Sequence, residues 1–365
     1  MTTVRVGIVG SGFVAELHAE SLARVPNARL VAVASPTPGH AEAFAARHHV
    51  ERWFADHEAL LREGGAAGGV DMLIVACPND LHAAVTIAAA RAGVHVVCEK
   101  PLCLNLAEAD QMIDACREAG VKLMYAEELL FAPKYVRAKR LVEEGALGDV
   151  YMVKQGECHY GPHSPWFWDV NRSGGGVLMD MGCHSVEFGR WIYGKERPVS
   201  VYAQLGRHVH CDRTRGEDQS ICIVEYEGGR IAIADNSWAR TGGIDDRAEL
   251  YGTKGLTVAD LIRGNALTTF SDTGYGYAVE KAPETKGWTF TSFEETWNYG
   301  FPQEMQHFVD CVARDEVPLE TGEDGRLVLE ILCAAYQSAR LGQKVSLRQP
   351  FATVAKKPID LWLGE

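Results

Sequence analysis

Val4-Arg5-Val6-Gly7-Ile8-Val9-Gly10-Ser11-Gly12-Phe13-Val14-Ala15 is an apolar strand pattern that runs into a glycine turn and then into a helical pattern over Val14 to Arg24. That order is how a parallel sheet admits a dinucleotide. The glycines let a pyrophosphate reach main-chain N–H groups at a helix N-terminus, and Ala15 stands where the third small residue is needed. A Gly-x-Gly alone fits a plain strand-to-helix turn equally well. Here the strand, turn, helix and next strand, Leu30 to Ala34, keep the spacing of the nucleotide reading, which places Gly10, Ser11, Gly12, Phe13 and Val14 at the cofactor.

Outward from that turn, strand-like and helix-like segments alternate through the first 125 residues, the signature of a parallel sheet covered by helices. Short apolar strands are expected at Met72 to Ala76, Val94 to Cys98 and Lys122 to Tyr125. Helices are expected at Gly39 to His48, His57 to Arg62, Leu81 to Ala92, Asn105 to Ala119 and Pro133 to Gly145. From Val150 to about Val258 the pattern changes to alternating strands, among them Val150 to Lys154. Ser220 to Tyr226 and Arg230 to Ala234 are joined at Glu227-Gly228-Gly229 as a hairpin. A helical stretch from Gly174 to Tyr193 interrupts them, and helices at Pro302 to Arg314 and Gly322 to Gly342 follow. The expected fold is α/β: an N-terminal Rossmann domain over 1–126, then a C-terminal α+β domain over 127–365 with a large, mostly antiparallel open sheet.

Composition narrows the function classes. The chain has 365 residues, 47% hydrophobic and 23% charged, and no apolar run approaches the ~20 residues of a membrane span. Its 36 basic and 49 acidic residues give a net charge of −13, which argues against a nucleic-acid partner, since binding to phosphates needs concentrated basic surface. Ten cysteines without a Cys-x-x-Cys pair fit buried thiols in a reducing compartment, so a cytoplasmic protein is expected. The cluster His208-Val209-His210-Cys211-Asp212 is read as a strand whose residues face solvent and core by turns. No third ligand completes a metal site there, and no metal is expected.

The remaining motifs fall at strand ends and on one helix. The second strand ends at Ser35, where an acidic residue often holds the ribose of NAD; no arginine stands ready for a 2′-phosphate, so NAD is expected, with NADP left open. Cys77, Pro78, Asn79 and His82 follow the next strand, and Glu99-Lys100-Pro101 the one after, all on the sheet edge where the cofactor lies. Lys100 is either a solvated charge paired with Glu99 or an acid/base at the site, and a cis bond before Pro101 could fix its turn. Asp180 and His184 stand four apart on one expected helix, so both can meet one ligand or form an ordinary surface pair. His159, Tyr160, His163, Trp166, Trp168 and Arg172 read as a substrate-lining segment, or as a bracing aromatic loop.

Together these pieces resemble the Gfo/Idh/MocA family of NAD(P)-dependent oxidoreductases across essentially the whole chain: Gly10 to Ala15, Pro78-Asn79 with His82, Glu99-Lys100-Pro101, Gly174-Gly175-Gly176 with Asp180 and His184, and Tyr251-Gly252-Thr253-Lys254-Gly255. The resemblance implies catalysis by Lys100, Asp180 and His184, and a C-terminal sheet that often forms oligomer interfaces, hence a homo-oligomer, dimer or tetramer. It also implies a departure. Glu128, after Glu127, stands where the family usually has an asparagine at the nicotinamide region; it is assigned to cofactor and substrate as a hydroxyl ligand, an extra acid/base or a helix N-terminal charge. The expected reaction is oxidation of a secondary hydroxyl on a sugar, glycoside or cyclic polyol in carbohydrate metabolism. Lys100 takes the proton, His184 shares it, and Asp180 orients substrate or imidazole. The alternative is an NAD-dependent glycosidase working by transient oxidation, elimination, water addition and re-reduction, on an anionic glycoside among others. It would draw an added base and acid from Tyr160, His159, Glu127 and Glu128. A non-catalytic nucleotide sensor is the third reading.

Overall fold

The computed structural model describes residues 2–65, 68–276, 284–292, 294–351 and 355–365. In chain order the first elements are β1 (Val4–Val9), α1 (Phe13–Leu22), β2 (Ala28–Ala34), α2 (His40–His48), β3 (Arg52–Phe54), α3 (His57–Gly64) and β4 (Met72–Val75). There follow α4 (His82–Arg91), β5 (His95–Glu99), α5 (Leu106–Ala119), β6 (Leu123–Ala126) and α6 (Pro133–Glu143). The chain continues through β7 (Val150–Cys158), α7 (Val170–Ser173), α8 (Val177–Asp180), α9 (Gly182–Ile192), β8 (Ser200–Gly206), β9 (Gln219–Glu225) and β10 (Ile231–Ser237). It ends with β11 (Asp245–Gly252), β12 (Gly255–Asp260), β13 (Ala266–Ser271), β14 (Gly287–Ser292), α10 (Glu295–Asn298), α11 (Phe301–Arg314), α12 (Gly322–Leu341), β15 (Val345–Ser346) and α13 (Pro358–Leu363).

These elements form two compact units, Met1–Glu128 with Gly300–Leu329, and Leu129–Tyr299 with Glu330–Glu365. A single cut near residue 126 therefore misplaces one segment. α11 returns to the first unit because its apolar face, Met305, Phe308, Val309 and Cys311, joins the core formed by Val4, Val6, Ile8, Ala15, Ala19 and Leu22.

The first unit is a six-stranded sheet in the order β3-β2-β1-β4-β5-β6, with every neighbouring pair parallel. The order reverses between β1 and its neighbours, and open α/β sheets bind ligands outside the strand C-termini at such a point. β4 is wholly buried, as a strand with helices on both faces should be. β3 is only three residues long, Arg52-Trp53-Phe54, too short for a periodic pattern to announce it in sequence.

The second unit carries a seven-stranded sheet, β12-β11-β7-β10-β9-β8-β15, antiparallel except where β10 runs parallel to β7. α9 packs on β7 and β10, where a Cβ on Gly189 would collide with Ala232. The opposite face keeps Ile221, Leu256 and Val258 exposed. β9 and β10 pair as the expected hairpin. The stretch from His208 to Asp212 is a turn rather than a strand, because the Asp218 carboxylate collects the N–H groups of His208, Val209 and His210 at 2.6–2.8 Å. Among the described residues, no helix is long and apolar enough to cross a membrane. All ten cysteines are free thiols.

Candidate functional site

In the first unit the glycine turn has the form a phosphate needs. Gly10 has φ +127°, and a Cβ there would collide with the Ala76 carbonyl oxygen. Gly12 faces open space, and no side chain caps the N-terminus of α1. The residues thus fit a nucleotide's pyrophosphate: bare main chain at a helix N-terminus, at the point where the strand order reverses. Phe13 is exposed and Val14 half-buried beyond the turn. Ser35 is buried and accepts a hydrogen bond from Ser11 Oγ at 2.9 Å, tying the end of β2 to that turn.

The ends of β4, β5 and β6 carry the ionisable groups. Cys77 and Pro78 are half-buried, and Asn79 is buried. His82, expected at the cofactor, is fully enclosed. Its Nε2 lies 2.9 Å from the Cys77 carbonyl oxygen and its Nδ1 3.0 Å from that of Pro101, so it struts two strand-end loops. Burial lowers its pKa against the pull of these carbonyls and of Glu99. Lys100 directly follows β5 and is half-buried, and its peptide bond to Pro101 is cis. The Lys100 N–H donates to Glu99 Oε2 at 3.1 Å, and Glu99 Oε1 lies 2.6 Å from His18 Nε2, whose ring meets Phe301 edge-on. Burial opposes ionisation of Glu99, yet the His18 hydrogen bond and the Lys100 charge hold its carboxyl below the ordinary range.

Glu127 and Glu128 follow β6, both buried, and Glu304 on α11 completes a group of acids in this unit. Burial, then the nearby Glu128, Glu99 and Glu127, push the Glu304 carboxyl well above the usual carboxylate range, against the pull of the Glu127 N–H. Sequence reasoning missed Glu304, which comes from the far end of the chain. The His18–Glu99 pair, 81 residues apart, has no local signal either.

In the second unit, Asp180 and His184 do not share one helix. α8 ends at Asp180 and α9 begins at Gly182, with Met181 between them at φ −101°. Both residues are 2% exposed. Trp238 Nε1–H donates to Asp180 Oδ2 over 3.3 Å, and Trp238 heads an aromatic cluster with Phe167 and Trp168, its ring centroids 6.2 and 5.6 Å from theirs. Trp166 stacks on Phe167, and Trp168 and Tyr160 both touch the His210 ring, whose Nε2 lies 3.0 Å from the Trp238 carbonyl oxygen. The Arg213 guanidinium sits 4.3 Å from the Trp168 ring. His159 Nδ1 lies 2.7 Å from the Gly161 carbonyl oxygen, and its ring meets that of His163 edge-on. Arg172 lies in the last turn of α7, half-buried. Of the expected substrate residues the structure thus gathers Tyr160, Trp166 and Trp168 around Trp238, and adds His210 and Arg213.

The triple glycine before α8 is a close approach. A Cβ on Gly175 would collide with the Tyr336 hydroxyl, and one on Gly176 with the Glu217 backbone. Glu217 is enclosed. Its Oε1 accepts from Tyr336 Oη at 2.6 Å and from the Leu178 N–H at 2.9 Å, and its Oε2 from the Gly176 N–H at 3.2 Å. It therefore anchors the turn that ends in Asp180. Burial outweighs these donors and raises its carboxyl to about 7.

A sequence profile of the oxidoreductase family with an NAD-binding Rossmann fold matches residues 4–127, and one of the GFO/IDH/MocA C-terminal domain matches residues 135–258. The chain belongs to the Gfo/Idh/MocA family. Members similar to it include myo-inositol 2-dehydrogenase of Thermotoga maritima, 28% identical over 95% of this chain and 99% of that protein. The NAD(+)-dependent scyllo-inositol 2-dehydrogenase of Bacillus subtilis is 28% identical over 94% and 96%. Among solved structures, that of GenD2 from gentamicin A biosynthesis in complex with NAD superposes with a TM-score of 0.89 at 32% identity, covering 96% of this chain and 97% of that one. Like other Gfo/Idh/MocA proteins the chain is an oxidoreductase, and its cofactor is NAD.

Proposed function

We propose that this protein is an NAD-dependent dehydrogenase of a secondary hydroxyl on a cyclic polyol, sugar or glycoside. The observation that carries the reading is Lys100. It stands just past β5 on the carboxyl edge of the nucleotide-binding sheet, braced by Glu99 and the His82 strut, at a place where a proton acceptor is needed when a hydroxyl is oxidised. Bound NAD supplies the hydride acceptor. Lys100 takes the hydroxyl proton. His184 hydrogen-bonds the reacting oxygen, and Asp180, fixed by the Trp238 N–H, orients the substrate or the imidazole. Trp166, Trp168 and Tyr160 offer ring faces to the C–H side of a cyclic polyol, with His159, His163 and Arg172 for its hydroxyls. The inositol dehydrogenases among the relatives support the polyol end of this substrate range.

The exposed Ile221, Leu256 and Val258 on the second sheet lie on the face turned away from α9, and we read that face as the contact through which copies of this chain pair as a dimer or tetramer. The decisive test of the function is a panel of inositols, aldoses and p-nitrophenyl glycosides with NAD, following NADH and phenol together. Stoichiometric NADH from a polyol or sugar is the expected result. Phenol release with only catalytic NAD and no net NADH would replace the dehydrogenase by the redox-assisted glycosidase.

A further inference from the structure

Asp180 and His184 stand on different helices. α8 ends at Asp180, α9 begins at Gly182, and neither helix has a side-chain cap at its N-terminus. On one continuous helix, residues four apart would be neighbours at a fixed spacing. Across the break at Met181 that constraint is gone, so the spacing of acid and imidazole is set by the elements on which the two helices rest.

β10 touches both helices. Side chains two apart on a strand share a face, and Ala232, Ala234 and Asn236 form the buried row of β10, with Trp238 two positions further on. α9 lies along this row: Gly189 is pressed on Ala232, and a Cβ on Gly182 would sit 3.5 Å from Asn236 Oδ1. Between the two glycines comes Ser185, whose Oγ accepts the Asn236 Nδ2–H at 2.9 Å. Ser185 in turn donates to Gln155 Oε1 on β7, the nearer of its two acceptors. Gln155 Nε2–H donates to Asp246 Oδ1 on β11 at 3.1 Å, where the Tyr135 hydroxyl also donates at 2.6 Å. The donors run one way, from β10 through α9 and β7 to a carboxylate on β11. All these side chains are buried, so breaking one bond strands a polar group away from water. The end of β10 thus holds both helices: Trp238 Nε1–H meets Asp180 on α8, and Asn236 meets the residue next to His184 on α9.

We infer that Asn236 is a positioning residue for the reaction: through Ser185 it sets where His184 stands relative to Asp180, with the end of β10 as the common template of the pair. The inference rests on the reading of Asp180 and His184 as groups that face the reacting hydroxyl.

The test breaks the same bond from its two sides, with Asn236→Leu on the strand and Ser185→Ala on the helix. In NMR spectra of the full chain carrying isotope-labelled histidine, the His184 ring signal is the one missing from His184→Ala. Both variants should move that signal in the same way, while His40 and His48 in the first unit keep theirs. With NAD and the substrate identified by the panel, kcat should fall about 10- to 100-fold in either variant, the scale of a slightly misplaced reacting group, and the NAD dissociation constant should not change. The double variant should be no slower than the slower single one, and in a His184→Ala background Ser185→Ala should cost no further rate. An unmoved His184 signal in both variants overturns the inference with no substrate in hand. An equal rate loss in the wild-type and His184→Ala backgrounds overturns it too, since Ser185 would then be supporting the fold at large. Near wild-type turnover by His184→Ala overturns the underlying reading of His184, and it is seen without any Ser185 or Asn236 variant. Should Asn236→Leu lose its thermal transition, Ser185→Ala alone carries both readings.

Discussion

The clearest quantitative prediction concerns Glu217→Gln. In the wild type this enclosed carboxyl titrates near 7, against an ordinary 4.5. A folded-state pKa above the unfolded one means that the native protein holds the proton more tightly. The group's stabilising contribution is therefore complete below about pH 4.5 and is lost as pH rises through 7. Moving a carboxyl from its ordinary 4.5 to about 7 is worth about 3 kcal/mol. Glutamine mimics the neutral acid but takes one acceptor from the set formed by Tyr336, Leu178 and Gly176, at a cost of about 1–3 kcal/mol. The variant should thus melt below the wild type at pH 5, and the gap should close or reverse by pH 8. For a unit of roughly 200 residues the relative shift is about 6–12 °C. Other titrating groups, such as Asp246, also raised to about 7, are common to both proteins and cancel in the difference. Melting both proteins by differential scanning fluorimetry from pH 5 to 8.5 checks it. A gap that stays constant, or widens with rising pH, would refute the argument that burial dominates at Glu217.

Three further outcomes follow from the same geometry. Trp238→Phe removes the N–H that donates to Asp180; turnover should fall about 10- to 100-fold, the worth of a hydrogen bond to a charged group, with NAD affinity unchanged in a fluorescence titration. Gly10→Ala cannot keep φ +127° or the approach to the Ala76 carbonyl, so NAD affinity should drop by two orders of magnitude or so in calorimetry. His18→Leu strips Glu99 of its donor and should destabilise the protein by about 2–4 kcal/mol in urea unfolding at pH 7. Since Glu99 is held below its ordinary pKa, that loss is present above about pH 4.5 and shrinks as pH falls below it.

The sequence was most legible where local chemistry decides structure. The glycine turn, the apolar strands and the acid-lysine-proline motif are read within a few residues of themselves, and the parallel sheet follows from their alternation. Asp180 and His184 were read on one helix, whereas α8 ends at Asp180 and α9 starts at Gly182; the break carries no proline, and the close packing at Gly176 and Gly182 beside it has no local signal. The return of α11 to the first unit, the Glu217 anchor and the Glu304 acid join residues more than a hundred positions apart on one or both sides. In a linear reading Glu217-Asp218 looks like a solvated turn, and Glu304 like the first charge of an amphipathic helix. Only the tertiary fold turns the first into a clamp on Gly176 and the second into an enclosed acid whose carboxyl is pushed above the usual range. His210 was misread for a related reason: three N–H groups gathered by Asp218 make a turn where alternation alone promised a strand.

The central claim is that Lys100 removes the proton while hydride leaves the carbinol carbon of a cyclic polyol or sugar. A substrate from the panel, deuterated at that carbon, should give one equivalent of nicotinamide-deuterated NADH per ketone with the wild type. Lys100→Met should bind NAD in calorimetry yet turn over slower by a factor of 100 or more, the scale of a lost general base. Near wild-type turnover by Lys100→Met, or product formed without deuterium reaching the nicotinamide, would contradict the account.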